Sequence, residues 1–317
     1  MEAARPKEAL TVPRPRVRSR ISREREAPRS VGEERGNAMP KVSIRRLESV
    51  EEFRASEWIQ KLVWGSVSVS AEVLTVTAKH GGAVLGTFVG GTLTGFLYAF
   101  LARRHGKLIH WSHMMAVEAR FRDLGLGFRM KLAHRRLALA QGIRTICWTY
   151  DPLQSRNAYL NIRRLAGTVE ECVPNCYGQF PSLIEKGLAS DRFVVAWAIA
   201  SKRVATRLGG RNARPLDPAW TAVNPTRKNR QGFLENQALK LRERAPRLLV
   251  EIPPDTDRMR ARNLSLARRW RLETRSIFHS YLLAGYRVTD FFPPSRISGR
   301  CFYLLERGAR ASVAYPG

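Results

Sequence analysis

The sequence predicts an α/β chain of the α+β kind: a mixed sheet flanked by helices, followed by a C-terminal α/β segment. Three observations predict it. Apolar runs of strand length recur, among them GAVLGTFVGG, TLTGFLYAFLA, RTICWTY and RFVVAWAI. Stretches with helix caps or helical spacing stand between them. From Arg247 to Arg307 the order strand, turn, long helix, strand comes round a second time, although the residues themselves do not repeat.

Residues 1–38 are rich in Pro, Arg and Glu and poor in aromatics, so they cannot bury enough apolar area to offset their ordering entropy. They read as a disordered basic tail, or as sequence upstream of the true start at Met39. KVSIRRL is a first strand. SVEEFRASEWIQKLVW is a helix, with Ser49 as N-cap and Glu52 completing a capping box. The two apolar runs around Gly90 and Gly91 form a hairpin. KLIHWSHMMAV is a fourth strand. A glycine loop follows, then a helix over 128–141 with apolar stripes Phe128/Leu132/Leu139 and Met130/Leu137, ended by Gly142. RTICWTY is a strand, NAYLNIRRL a short helix, and TVEECV and RFVVAWAI two more strands.

The division that follows is 39–203 for a first domain, 204–247 for a basic linker and 248–317 for the C-terminal segment. Between Lys202 and Arg247 the chain carries twelve Lys/Arg against Asp217, Glu235 and Glu243, with Gly and Pro breaking periodicity. A helix is expected there near FLENQALKLRER. Beyond it RLLVEI reads as a strand and PPD as a turn. A long helix carries Leu266, Trp270, Ile277, Tyr281 and Ala284, capped by Gly285, and RVTDFF and CFYLLER are strands.

The totals bound the function. The chain has 317 residues, 44% of them hydrophobic, enough for a real core. No run approaches the roughly 18 apolar residues of a membrane span and no signal-peptide pattern opens the chain. A cytoplasmic protein without membrane association is expected. Cys147, Cys172, Cys176 and Cys301 are too few for a disulfide framework. Cys172 and Cys176 have no second pair and no nearby histidine to complete a zinc site, so no metal is expected. The formal net charge is +28, of which the first 38 residues supply +4, ten basic against six acidic. Such a charge concentrates anions of any kind, nucleotides, phosphates or acidic surfaces.

The loop RFRDLGLGFRM is the most informative stretch. A strand that runs into glycines and then a helix N-terminus makes an anion site, because the first helical N–H groups are unpaired and the dipole is positive there. Glycines also let a phosphate approach the backbone. The loop equally reads as a tight turn before a helix. It lacks the third glycine of G-x-G-x-x-G and is no P-loop.

The spacing Arg122-x-x-Gly125-x-Gly127 resembles the pyrophosphate motif of the GNAT superfamily of acyl-CoA-dependent N-acyltransferases. The order strand, helix, hairpin, strand, glycine loop, helix, strand, helix, strands from Lys41 to about Ile199 is similar to that fold. HWSHMMAV, ICWTYDPLQSRNAYLNIRRL and GLASDRFVVAW resemble a subgroup of predicted acetyltransferases. The resemblance implies acyl-CoA as co-substrate, acetyl-CoA or succinyl-CoA, and a primary amine as acceptor, a small molecule such as an amino acid. It places Met115, Ala116 and Val117 beside the pantetheine arm, with a bulge there aimed at the thioester. It places Arg122, Asp123, Leu124, Gly125, Leu126 and Gly127 around the pyrophosphate, and Asn157 on the pantetheine. The tyrosine that many members use as acid is replaced by Ile162, leaving Tyr159 or Tyr150 as substitutes, or a thiolate that leaves unassisted.

Three groups are candidates for acid–base work. His113 lies on the fourth strand; strict alternation puts it on the face of Trp111, Met115 and Val117, opposite His110. Asp151 follows the strand RTICWTY where the fourth and fifth strands splay in this fold, and it also reads as a turn aspartate. Tyr150 is the third. Arg192 could grip a substrate carboxylate or pair with Asp191. The alternatives are a protein or tRNA acyltransferase, and a non-catalytic protein binding acyl-CoA or nucleic acid. The oligomeric state stays open, a homodimer among the options.

Overall fold

The computed structural model describes residues 41–66, 68–178, 187–210, 214–295 and 299–308. The tail expected over 1–38 lies outside them. The chain begins with β1 (Val42–Arg46) and α1 (Val50–Trp64). Ser49 caps α1, its hydroxyl accepting from the Glu52 N–H at 3.3 Å, and the Glu52 carboxylate accepts from the Glu48 N–H at 2.9 Å. A second helix, α2 (Ala71–Lys79), was not expected. Its Thr and Val residues favour a strand locally, but burial of Ala71 and Leu74 decides for the helix. β2 (Ala83–Val89) and β3 (Thr92–Arg104) form the expected hairpin, with Gly90 at φ 57° and Gly91 at φ 84° making its tight turn.

β4 (Lys107–Val117) leads through a 3-10 turn (Ala119–Leu124) into α3 (Leu126–Ala140). Next come β5 (Ile146–Tyr150), α4 (Ser155–Ala158) with a π-wound continuation (Tyr159–Arg164), β6 (Thr168–Val173), β7 (Arg192–Trp197) and α5 (Lys202–Leu208). On one face, Phe53, Ile59 and Leu74 of α1 and α2 pack with Phe88, Phe96, Tyr98, Met114 and Ala116. On the other, Met130 of α3 packs with Leu85, Leu97, Ala99, Met115 and Val117.

The described residues of the expected linker, 204–210 and 214–247, are built into the fold. They carry β8 (Thr221–Ala222), β9 (Thr226–Lys228) and β10 (Leu234–Asn236). β8 pairs in parallel with β11 (Arg247–Ile252), and Asn224 bonds the backbone of Glu251 in both directions at 2.9 Å. The stretch FLENQALKLRER holds β10 and extended chain where a helix was expected. Its backbone groups are taken by neighbours: Trp270 Nε1 donates to the Leu234 carbonyl, and the Lys240 N–H to the Val223 carbonyl.

The remaining elements are α6 (Thr256–Arg262), α7 (Leu264–Leu283), β12 (Tyr286–Phe292) and β13 (Cys301–Arg307). Among the described residues eleven strands form one sheet, in the order β1-β2-β3-β4-β5-β7-β6-β12-β13-β11-β8. The C-terminal strands thus extend the first sheet through β12 on β6, and from Pro40 onward the chain is one compact unit. No described helix is long and apolar enough to cross a membrane.

Candidate active site

β4 and β5 run parallel but pair only through His110 with Ile146 and Trp111 with Cys147. Beyond that point the two strands part, leaving a split between Ser112–Val117 and Trp148–Tyr150. The β3–β4 ladder slips beside it: Tyr98 faces Met114 and Ala99 faces Ser112, so His113 is an extra residue. The bulge therefore sits at His113, not at Met115–Val117. It resets the alternation of faces. His110 and Ser112 face α3 before it, and Met115 and Val117 face α3 after it. His113 turns to the opposite face, its ring 6.0 Å from Tyr98 and 6.1 Å from Phe100. It does not share a face with Met115 and Val117. It does lie opposite His110, as alternation predicts. His113 is exposed at the surface on that face, and partial desolvation beside these rings lowers its pKa, which favours the neutral imidazole that can take a proton.

At the other end of the split lies the glycine loop. Gly125 stands at φ 68° as the residue before α3, and a Cβ there would meet nothing within 4 Å. Left-handed backbone, not crowding, demands glycine. A Cβ on Gly127 would point toward Met115 Cε at 3.5 Å and Leu160 Cδ2 at 3.8 Å, into the gap between the end of β4 and the π-wound turn. Arg122 Nε donates to the Val117 carbonyl at 3.2 Å, and Arg120 pairs with Glu118 at 3.0 Å. Arg156 offsets Asp123 at 3.1 Å, both exposed. Asn157 is exposed on α4, next to Arg156. The residues expected around a CoA thus come together: Met115, Ala116 and Val117 on one side of the split, Arg122 to Gly127 at its mouth, Asn157 across it.

Other expected residues do different work. Tyr150 is buried, its hydroxyl 3.2 Å from that of Tyr303, which in turn donates to the Pro152 carbonyl at 2.8 Å. Burial raises the Tyr150 pKa further, so it is no proton donor to a ligand. Asp151 is held by both terminal nitrogens of Arg271, at 2.7 and 2.5 Å, and accepts from the Leu153 N–H at 2.8 Å. It is a turn aspartate in an ion pair rather than a base. The Asp191 carboxylate is held by Arg275 of α7, while Arg192 Nη1 donates to the Asp191 backbone carbonyl at 3.0 Å. Ile162 is fully buried in the core and Tyr159 is exposed. The thiols of Cys147 and Cys172 are pushed up by burial to about 11 and about 12, so neither offers a thiolate near neutrality.

Two residues at the split were not expected. Lys131 of α3 is buried at 2% exposure, and its Nζ donates to Ser112 Oγ at 3.0 Å and lies 3.7 Å from the centre of the Trp148 ring. Beside it His134 Nε2 and His110 Nδ1 are 2.9 Å apart, and His110 Nε2 lies 3.2 Å from the Gly81 carbonyl. A carbonyl only accepts, so His110 carries its proton on Nε2 and receives one hydrogen bond from His134, both rings neutral. The signal was present in the sequence: Gly127, Lys131, His134 and Ala138 fall on one helical stripe, with two polar members in a small-residue face. The Phe128/Leu132/Leu139 stripe is only partly buried.

No protein-family model matches the chain, and no curated protein matches it in sequence. Solved structures do. The acetyltransferase of GNAT family from Streptococcus pneumoniae is 15% identical with TM-score 0.41, over 49% of this chain and 98% of that one. The ribosomal-protein-S18-alanine N-acetyltransferase from Escherichia coli is 14% identical with TM-score 0.42, over 51% and 96%. Aminoglycoside 6'-acetyltransferase type Ii is 17% identical with TM-score 0.41, over 50% and 99%. Likeness of this degree leaves the chemistry to the geometry of the split and its loop.

Proposed function

We propose that the chain moves a short acyl group, acetyl or succinyl, from acyl-CoA to the primary amine of a small molecule such as an amino acid. One observation carries the reading: a parallel strand pair that parts beside a bulge and opens onto a glycine loop at a helix N-terminus. The backbone N–H groups of Arg122 to Gly127 would hold the pyrophosphate, helped by the dipole of α3. Met115, Ala116 and Val117 would line the pantetheine arm opposite Asn157. The bound co-substrate supplies an activated acyl carbon. The chain's own part is to orient it and to manage protons.

His113, on the face away from α3, takes the proton of the attacking amine. The raised thiols favour direct attack in a ternary complex over a cysteine-bound acyl intermediate.

The loop tests the reading. At Gly127 a Cβ meets only ordinary contacts, so Gly127→Ala should keep the melting temperature while narrowing the gap beside Met115. Calorimetry with CoA is expected to show affinity lowered about tenfold or more. Unchanged affinity, or no binding by the wild type, would make the loop a turn and nothing else. Gly125→Val is the weaker test, because strain at positive φ costs about 1–2 kcal/mol of stability by itself.

A further inference from the structure

We propose that Lys131, acting through Ser112, supplies the proton that the leaving thiolate takes, in place of the tyrosine whose position Ile162 holds. The inference rests on the acyltransfer reading above. Three observations carry it.

The first is position. Ser112 on β4 and Trp148 on β5 are each the next residue after the last β4–β5 pair. Lys131 touches both, at 3.0 Å and 3.7 Å, so its Nζ lies at the apex where the strands part. Met115 and Gly127, beside the loop, stand on β4 and α3, the same two elements that carry Ser112 and Lys131.

The second is that, among the described residues, its contacts hold no counter-charge. A hydroxyl and an aromatic face hold the ammonium, and neither is negative. His134 faces it from α3, with His110 of β4 behind, and burial lowers the pKa of both rings, which favours their neutral forms. β5 offers the Trp148 ring, and the wall toward β2 and β3 is apolar, with Leu85, Leu97 and Ala99. Desolvation accordingly lowers Lys131 to about 7, within reach of a thiol's range and suited to giving up a proton near neutrality.

The third is unfinished bonding around it. Trp148 Nε1 and His134 Nδ1 are buried with no hydrogen-bond partner among the described residues.

The step balances. The amine nitrogen bonds to the acyl carbon and the C–S bond breaks, its electron pair staying on sulfur. Sulfur takes a proton from Ser112 Oγ, which takes one from Lys131 Nζ. The amine's proton goes to His113. Lys131 ends neutral and His113 ends as imidazolium, and each returns to its starting form by exchange with solvent. The two proton carriers sit on opposite faces of the sheet, His113 on the amine side and Lys131 on the side of α3. Lys131 is a positioning and proton-supplying group behind Ser112, which is the one to touch sulfur.

The test compares wild type, Lys131→Met and Ser112→Ala on the full chain. Each should bind CoA by calorimetry, because neither side chain reaches the loop. Transfer from acetyl-CoA to an amine should fall about a hundredfold in kcat in both variants. In the wild type the rate should decline as pH rises through about 7, where Lys131 loses its proton, and this limb should vanish in Lys131→Met. A second readout needs no turnover: titration of bound CoA, followed by thiolate ultraviolet absorbance, should show a lower thiol pKa in the wild type than in Lys131→Met. Variants that keep their rate, or lose it with the limb and the thiol titration unchanged, would overturn the proposal and leave Lys131 a packing residue. A wild type that binds no CoA would overturn the acyltransfer reading instead.

Discussion

At the scale of single residues, Lys131 also makes a prediction about stability. It titrates near 7 when folded and near 10.5 when unfolded. Between those values the unfolded chain binds the extra proton, so stability from this group rises with pH across the window and is lowest below about 7. Lys131→Met removes the penalty. The variant is expected to melt above the wild type in neutral and mildly acid buffer, with the gap closing as pH approaches 10.5. The whole shift corresponds to at most about 5 kcal/mol. Thermal melts across pH read it directly, and a gap that does not change with pH would show that Lys131 titrates as if in water. The stripe Gly127, Lys131, His134 and Ala138 sets this lysine apart from Arg129, Arg135 and Arg136 along the chain, but only the apposition of β4 and β5 buries it.

At the scale of elements, α7 is tied to the parts of the site by ion pairs. Arg271 grips Asp151 after β5, and Arg275 grips Asp191 before β7. Arg271 is buried, and removing it strands a mostly buried carboxylate. Arg271→Met is expected to cost about 3–5 kcal/mol in urea unfolding, and adding Asp151→Asn should restore most of it. A single variant no less stable than the double one would mean that the pair is idle. The same scale shows where local reading stops. The hairpin at Gly90 and Gly91, the Ser49 cap and the strand RLLVEI are set by neighbours in sequence and are found as expected. α2 is not, because its β-branched residues favour a strand until Leu74 is buried. The bulge at His113 is not either, since a ladder slip depends on both strands at once.

For the whole molecule, the apolar face of the long helix packs against residues of the first part of the chain. Phe278 packs on Phe193 and Tyr303 with ring centres 4.5 and 5.5 Å away, so residues from both parts of the chain share a core. Asp290 of β12 binds Arg163 and Arg207 at 2.9 and 3.2 Å, and Thr256 donates to the Leu153 carbonyl at 2.8 Å. Asp255 caps α6 by accepting from the Arg258 N–H at 2.9 Å, so that helix start carries its own anion and offers no second phosphate site. Cutting the chain after residue 203 should therefore expose Phe193, Val195 and Trp197 and give an aggregated or molten product. Light scattering and near-ultraviolet circular dichroism check this. A soluble, cooperatively melting 39–203 fragment would show that the C-terminal part is dispensable.

The sequence by itself determined the order of strands from β1 to β7, the glycine loop and the echo of strand, helix and strand near the C-terminus. These follow from periodicity, caps and turn residues, which act over a few positions. Tertiary structure alone decided that the supposed linker is strand and pinned loop, and that one sheet spans both parts. It also took Tyr150 and Asp151 away from the chemistry, and it put Ser112 and Lys131 at the apex of the split. Each of those outcomes depends on residues far apart in the chain competing for the same hydrogen bonds and buried space, such as Asp151 with Arg271 or Lys131 with Ser112.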